Sequence, residues 1–540
     1  MYYPTLEEIK RLQEAESSHH ADDQKKPLLP LYCDILADME TPVSAYRKTA
    51  QSPYSFLLES VTGGEHVARF SVIGTDPYMV MLQRGETATL YKRHAVRGEA
   101  DAQYRVEEVP CHDPLTLIEA ELGQYRLVTP PQESSNEFPK FHGGAVGYLS
   151  YEAIARFERV PVPEQNSLDL PLAVLCFSET VLLFDHVKHR VRILTYLHLD
   201  APDLEQEYRR GCAILEDIQQ RLRQPISVPE EPEPLHDAAA LTVTSNRTKE
   251  EFEEMVRRSI EYIRAGDVFQ VVPSQRLSRH VNAAPFTVYR ALRAINPSPY
   301  MFYLDLKDFH IVGASPELLV RFEDETVTIR PIAGTRPRGT DAQSDELLAK
   351  ELQQDPKERA EHVMLIDLAR NDVGRVSMPG SVEVSEFMGI ERYSHVMHLV
   401  SNVTGTLRKD LTPFDALRAG FPAGTVSGAP KIRAMEIISE LEQDQRGVYA
   451  GAVGYFSLSG DQETAIALRT MVIKDGRAYI QAGCGVVADS DPENEYQESL
   501  NKAKALIRAL DEAEQLARTH RESMDSAEFA GKGTKDVATY

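Results

Sequence analysis

Glu361 and Glu498 stand near the starts of two segments patterned as helices, and paired carboxylates are the donors a hard cation takes. The first segment opens at Asp355-Pro356-Lys357-Glu358. Asp at the N-cap, Pro at the first helical position and Glu at the third satisfy orphan amides and complement the helix dipole. At about 100° per residue, Glu361 projects on the side of Leu365 and Leu368, so its carboxylate is expected to head a buried apolar stripe, where a charge needs a partner. The second segment opens in the same way at Asp491-Pro492. It places Glu498 one turn from Lys502, on a side otherwise made of the small Ala505 and Ala509, which leaves room for a ligand. Taken alone, either glutamate reads more readily as a solvated helix-face residue than as a ligand. Two carboxylates facing inward from separate helices point to a metal.

The elements that must position them follow from local pattern. From about Leu31 to Leu197 the chain shows short apolar runs with turn signals, such as Val67 to Gly74 and Val181 to Asp185, and is expected to be strand-rich. A polar helical stretch from Leu204 to Arg223 leads into a Pro/Glu-rich segment read as a linker, 224–244, which divides an N-terminal region, 1–223, from a catalytic region, 245–515. Beyond it Thr248 and Glu251 form a capping box for a helix ending at Gly266, followed by a strand from Val268 to Val272. Strands and helices then mix without regular βαβ repetition. The fold expected is α+β with largely antiparallel sheets. Residues 516–540, rich in small and charged types, are expected to be a disordered tail.

Composition narrows the function. The 540 residues carry 83 acidic against 59 basic side chains, a net charge of −24, which argues against nucleic-acid binding. An anionic substrate would have to find local positive groups. No leader or membrane span is readable, since the apolar stretch from Leu168 to Phe184 is broken by Pro171, Ser178 and Glu179. Cys33, Cys111, Cys176, Cys212 and Cys484 are scattered without a Cys-x-x-Cys pair, which suits reduced thiols in a cytoplasmic protein. Tryptophan is absent, which carries little weight.

Four longer motifs surround the glutamates: Arg330 to Gly339 (RPIAGTRPRG), Glu361 to Asp372 (EHVMLIDLARND), Phe421 to Lys431 (FPAGTVSGAPK) and Gln481 to Val487 (QAGCGVV). In this order and spacing they resemble the chorismate-binding enzymes, across residues 245 to 510, and look most similar to the large subunits of anthranilate synthases. Leu57-Leu58-Glu59-Ser60 is similar to the feedback-site motif of those subunits. The resemblance implies two stacked sheets flanked by helices, with N- and C-terminal parts sharing one body. It implies magnesium held by Glu361 and Glu498, and it carries over His398, Glu317 and Thr425 as catalytic candidates. His398 would move the ring proton near neutral pH, and Glu317 would protonate a departing C4 hydroxyl, which requires a carboxyl kept protonated. Chorismate would meet Gly334 and Thr335 at its ring carboxylate and Tyr449, Arg469 and Gly485 at its enolpyruvyl side, with Lys502 as a further cation. The turn Gly483-Cys484-Gly485 could cradle a carboxylate through backbone N–H groups. His395, although close to His398, is given no role.

The implied reaction adds ammonia to C2 of chorismate as the C4 hydroxyl leaves, then eliminates pyruvate to give anthranilate. Ammonia would come from glutamine through a partner amidotransferase subunit in a hetero-oligomer, because no glutaminase cysteine motif is readable here. Tryptophan would inhibit through Leu58, Glu59, Ser60, Pro299, Tyr300 and Met301. Two positions weigh against sister activities. Gln270 stands where water-using enzymes of the family carry Lys, and Ala333 where aminodeoxychorismate synthases often do. Aminodeoxychorismate synthase and an inactive, tryptophan-binding homologue remain the alternatives. The run Gly424 to Lys431 superficially suggests a phosphate loop but lacks the Gly-Lys-Ser/Thr end.

Overall fold

The computed structural model describes residues 2–19, 25–60, 69–93, 104–129, 140–226, 231–233, 241–393 and 396–533. His395 lies outside them.

Two large sheets carry the fold, and each is assembled from both sides of the expected linker. In the first, six strands from the C-terminal side, ending in Tyr300–Asp305, meet six from the N-terminal side, beginning with Ser55–Glu59. In the second, Ala452–Ser457 pairs with Gly144–Leu149 at the equivalent seam. Among the described residues, strand pairing in both sheets is antiparallel except between Lys26–Leu36 and Tyr125–Leu127. The apolar residues alternate as such strands require. Phe56, Val72, Phe302 and Ile311 of the first sheet pack with Val80, Val146, Val174 and Val453 of the second to form the layer between them. The opposite face of the first sheet buries Leu57, Tyr303 and Met471 against helices Pro285–Ile295 and Pro492–Gly533. The outer face of the second is covered by helix Pro356–Gly374, through Ile366, Ala369 and Val373. The architecture is therefore the expected α+β pair of largely antiparallel sheets flanked by helices.

Local signals behave as their chemistry predicts. Asp355 caps its helix by accepting from the N–H groups of Lys357 and Glu358, and Thr248 and Glu251 form the reciprocal capping box. The strand expected over Val268 to Val272 shortens to Gln270–Val271, which pairs with Gly428–Ala429. Within the linker Glu231 is anchored, accepting from the N–H of Ala284 at 2.7 Å and the hydroxyl of Thr287 at 2.7 Å, at the start of helix Pro285–Ile295. The tail differs from expectation. Helix Pro492–Gly533 continues past residue 515, and Ala517, one of the small residues of the expected tail, is fully buried in its packing. Residues 534–540 lie outside those described.

Candidate active site

The chain crosses from one sheet to the other at two adjacent points, and each crossover carries a charged side chain of the candidate site. Strand Phe309–Ser315 belongs to the first sheet and Leu318–Glu323 to the second, with Glu317 between them. Gln462–Ile466 belongs to the second and Thr470–Lys474 to the first, with Arg469 between them at φ +46°. The crossovers hold each other: the N–H of Ala314 donates to Arg469 O at 3.1 Å, and that of Ile466 donates to Glu317 O at 3.1 Å. Burial pushes the Glu317 carboxyl up to about 8, a rise restrained by Thr425, Lys502 and Arg469 around it. Thr425 faces that carboxyl from the short helix Gly424–Ser427, but its buried hydroxyl makes no hydrogen bond of full geometry. Burial lowers the pKa of Arg469, with Glu317 and Tyr393 opposing, and its guanidinium makes no hydrogen bond or ion pair among the described residues. Nearby Arg330 is committed to Glu391.

His398 lies in strand Val396–Thr406 beside strand Ile332–Pro337, whose register slips between Ala333 and Thr335. Gly334 occupies the slip at φ +60°, a conformation that favours glycine. The bulge turns the Gly334 carbonyl onto His398 Nδ1 at 2.9 Å, with Thr335 Oγ1 at 3.2 Å. A carbonyl only accepts, so Nδ1 carries the proton and Nε2 keeps its lone pair. Burial lowers the pKa of the imidazole, and Tyr393 packs edge-on against it, ring centroids 5.6 Å apart.

The two glutamates differ from expectation in one respect. Glu361 is half-buried, and its pKa is raised by burial, then by Glu358, with Glu498 adding to the rise and Gln270 Nε2, 3.5 Å from Oε1, opposing it. Glu498 is not inward: half of its side chain is accessible, 50%, and it pairs with Lys502 at 2.8 Å. The small side of its helix is no ligand space either, because Ala509 is fully buried in packing against the first sheet. Helical phase tells which residues share a face; it does not tell where that face leaves the sheet and opens on a cleft.

Among the described residues no group of three or more His, Cys, Asp or Glu is arranged for a metal. The residues present nonetheless fit a hard cation that takes its other ligands from water and substrate. After burial itself, Glu358 and Glu498 add to the cost of ionising Glu361, and among the described residues the buried Oε2 of Glu495 has no hydrogen-bond partner. Glu358 and Glu495, one turn before each ligand candidate, were not singled out in the sequence; their i−3 spacing was the available signal.

The last wall is formed by Tyr449 and the turn after strand Arg477–Gly483. Lys502 Nζ donates to Gly483 O at 3.0 Å, and a Cβ on Gly483 would lie 2.9 Å from Tyr449 Oη. Burial raises the pKa of Tyr449, opposed by Arg446 and Lys502. The N–H of Gly485 has no partner among the described residues, and a Cβ there would meet Gln270 Nε2 at 2.6 Å. Cys484 corrects its assignment to substrate binding. Its thiol is buried with Val271, Val486 and Phe252, and its N–H donates to Pro273 O, so neither group is free. Lys431, at the end of the apparent phosphate loop, is a buried structural cation paired with Asp372 at 2.8 Å.

The expected effector residues divide between the faces of one sheet. Glu59 stands opposite Met301, and its carboxylate accepts from Tyr289 Oη at 2.5 Å and Arg293 Nε at 2.9 Å, on the helix-covered face. Alternation puts Leu58, Ser60 and Tyr300 on the face between the sheets, where Arg321 of the second sheet approaches Tyr300 Oη at 3.5 Å. Among the described residues the buried atoms Ser60 Oγ and Asn296 Nδ2 have no hydrogen-bond partner, and Pro299 is buried. Glu59 and Met301 cannot share a pocket with Tyr300 through their side chains.

Comparison with known proteins agrees with this geometry. The sequence profile of the chorismate binding enzyme family matches residues 77–508, which extends well into the N-terminal region. The chain is 45% identical over 519 residues to anthranilate synthase component 1 of Acetivibrio thermocellus, covering 96% of this chain and 100% of that protein. It is 49% identical over 491 residues to the same component of Pseudomonas aeruginosa, covering 90% and 96%. The crystal structure of anthranilate synthase component I from Streptococcus pneumoniae TIGR4 superposes with a TM-score of 0.68 at 38% identity, over 88% of this chain and 99% of that one. The menaquinone-specific isochorismate synthase of Escherichia coli, at 17% identity and a TM-score of 0.65 over 93% of this chain and 100% of that one, shares the fold. With its two-sheet body, its crossover glutamate and arginine and these relatives, the chain belongs to the chorismate binding enzyme family, among the anthranilate synthase component 1 proteins.

Proposed function

We propose that the chain is the catalytic, large subunit of an anthranilate synthase, converting chorismate and ammonia to anthranilate and pyruvate. The observation that carries the reading is the pair at the sheet crossovers: a carboxyl whose pKa is pushed up to about 8, beside a guanidinium that makes no ion pair among the described residues. Chorismate is a dianion that must lose a hydroxyl. Arg469 and the N–H of Gly485 receive the enolpyruvyl carboxylate, with Tyr449 beside them. Glu317, protonated near neutral pH, gives its proton to the C4 hydroxyl as ammonia bonds to C2 and both ring double bonds shift, C1=C2 to C1=C6 and C5=C6 to C4=C5. Water leaves and 2-amino-2-deoxyisochorismate results. His398 Nε2, basic because Nδ1 is held by Gly334, then takes the C2 proton as the enolpyruvyl ether breaks, and pyruvate departs from the aromatic ring. Magnesium held by Glu361 and Glu498 would supply positive charge for the ring carboxylate near Gly334 and Thr335.

The neutral amide of Gln270 lies by Glu361, and no lysine there can activate water, which supports ammonia as nucleophile. Ammonia comes from a separate amidotransferase subunit that hydrolyses glutamine. Tryptophan inhibits from the face between the sheets, where Ser60 and Asn296 offer unpaired polar groups, Leu58 and Tyr300 apolar surface, and the backbone near Pro299 and Met301 further acceptors. Glu59 acts there by fixing its strand to Tyr289 and Arg293. The cytoplasm suits a chain whose five cysteines are all free and in which no described helix is long and apolar enough to cross a membrane. Replacing Glu317 by Gln in an assay with chorismate, magnesium and ammonium tests the reading: anthranilate formation by the wild type that survives unchanged in Glu317→Gln would refute the assigned acid.

A further inference from the structure

Arg446 is among the most deeply buried charged side chains described, 2% accessible, and its guanidinium donates no hydrogen bond to a residue expected to meet substrate. It lies three residues before Tyr449, just past the end of helix Lys431–Glu442. Its fork is nearly saturated. Nε donates to Glu442 Oε2 at 2.9 Å, Nη2 to Glu442 Oε1 and to Val272 O, both at 2.6 Å, and Nη1 to Val426 O at 2.8 Å. The guanidinium also sits 4.7 Å from the ring centroid of Tyr151 and 5.5 Å from that of Tyr449. The N–H groups of Arg446 and Gly447 donate to the buried carboxyl of Glu152, at 2.6 and 3.1 Å.

Each contact ends next to a working residue. Val426 follows Thr425. Val272 precedes Pro273, whose carbonyl takes the N–H of Cys484 in the Gly483–Gly485 turn, and lies two residues after Gln270. Glu442 Oε1 also accepts from the N–H and hydroxyl of Ser274, at 2.8 and 2.9 Å, and Ser274 Oγ accepts from Gln481 Nε2 at 2.8 Å. A buried ion pair of this kind is poor value for stability alone, since apolar residues of similar volume often do as well. A planar fork that bonds two loop carbonyls and a carboxylate at once is a geometric device that lysine cannot reproduce.

We propose that Arg446, held by Glu442, is a positioning residue for the chorismate chemistry: it fixes the Thr425 loop, the Gln270 strand and Tyr449 relative to one another. This rests on the functional reading above. Arg446 reaches no substrate atom, so its loss should act on turnover through misplacement of groups that do.

The test is Arg446→Lys and Arg446→Ala, assayed for anthranilate with chorismate, magnesium and ammonium, alongside wild type and with melting temperatures recorded. A misplacement of about 1 Å can cost about 100-fold, so Arg446→Lys should fold, lose about 100-fold in kcat and keep KM for chorismate within about threefold. Added guanidinium or methylguanidinium should restore part of the turnover of Arg446→Ala without altering the wild type. If Arg446→Ala fails to fold, the kcat-against-KM split of Arg446→Lys decides alone. A folded Arg446→Lys enzyme with kcat near wild type overturns the inference, as does a loss confined to KM or an Arg446→Ala enzyme that folds but gains nothing from guanidinium. Wild-type protein that makes no anthranilate overturns the functional reading itself, and this inference with it.

Discussion

Glu317 has a signature that separates its chemistry from its structural cost. A buried carboxyl whose folded pKa is raised to about 8 from an ordinary 4.5 binds its proton more tightly in the folded state. The stability this confers is complete below 4.5 and is lost as pH rises through about 8. Glu317→Gln, permanently neutral, should therefore be more stable than wild type at pH about 9, by a margin that shrinks toward neutral pH, while losing at least about 100-fold in kcat for want of a proton donor. Wild-type kcat should fall with rising pH near about 8 for the same reason. Thermal melts and a pH–rate profile check the three outcomes, and a variant equally active at all pH values would remove Glu317 from the acid role. Glu361→Gln and Glu498→Gln should each stay folded and cut turnover by several orders of magnitude at saturating magnesium; near-normal activity in both would sink the metal assignment. Isothermal titration of magnesium with each variant gives a second readout. At this scale the sequence showed residue types but not their surroundings. Glu317 was named only through the resemblance of its motif, since nothing in Gly-Ala-Ser-Pro-Glu says that the chain changes sheets there. The hub at Arg446 was illegible because Gln445-Arg446-Gly447 reads as an exposed turn and its partners lie 20, 174 and 294 residues away.

Elements were read better than sites, for a physical reason. Capping, turn chemistry and periodicity are local, so the helix starts at Asp355 and Thr248 and the stop at Gly266 were all present in short stretches of sequence. The distribution of a strand's faces between neighbours is not local. Leu57 to Ser60 was legible as a motif, but only the pairing with Tyr300–Asp305 shows that Glu59 faces a helix while Leu58 and Ser60 face the second sheet. The two residues should therefore respond differently to substitution. Losing one hydrogen bond to a charged group costs about 1.5–3 kcal/mol. Ser60→Ala should then raise the tryptophan inhibition constant by about 10- to 150-fold and leave uninhibited turnover unchanged. Glu59→Gln leaves the Arg293 charge unpaired and should lower the melting temperature as well as weaken inhibition. Tryptophan titrations with and without chorismate measure both; equal inhibition of wild type and Ser60→Ala would place the effector elsewhere. Because the coupling is reciprocal, tryptophan and chorismate should weaken each other's binding by the same factor.

On the scale of the whole molecule, the proposed acid Glu317 and the proposed anion-binding Arg469 are brought together by the crossovers between the two sheets rather than by any one segment. Strands from both sides of the expected linker alternate into both sheets, so a cut near residue 230 should not yield a catalytic half that folds alone. Chain order cannot announce this, because sheet order depends on pairings such as Met301 with Glu59 that span more than two hundred residues. The same body carries a net charge of −24, so the proposed anion site would depend on a few local cations, Arg469 foremost. On the proposed function, this cleft joins ammonia, and not water, to chorismate. The most direct measurement supplies the purified chain with chorismate, magnesium and either ammonium at alkaline pH or glutamine, and identifies the products by fluorescence and chromatography. Anthranilate and pyruvate are expected in equal amounts with ammonium, and none with glutamine until an amidotransferase subunit is added. Accumulation of 4-amino-4-deoxychorismate or isochorismate, or glutamine-dependent turnover by the chain alone, would contradict it.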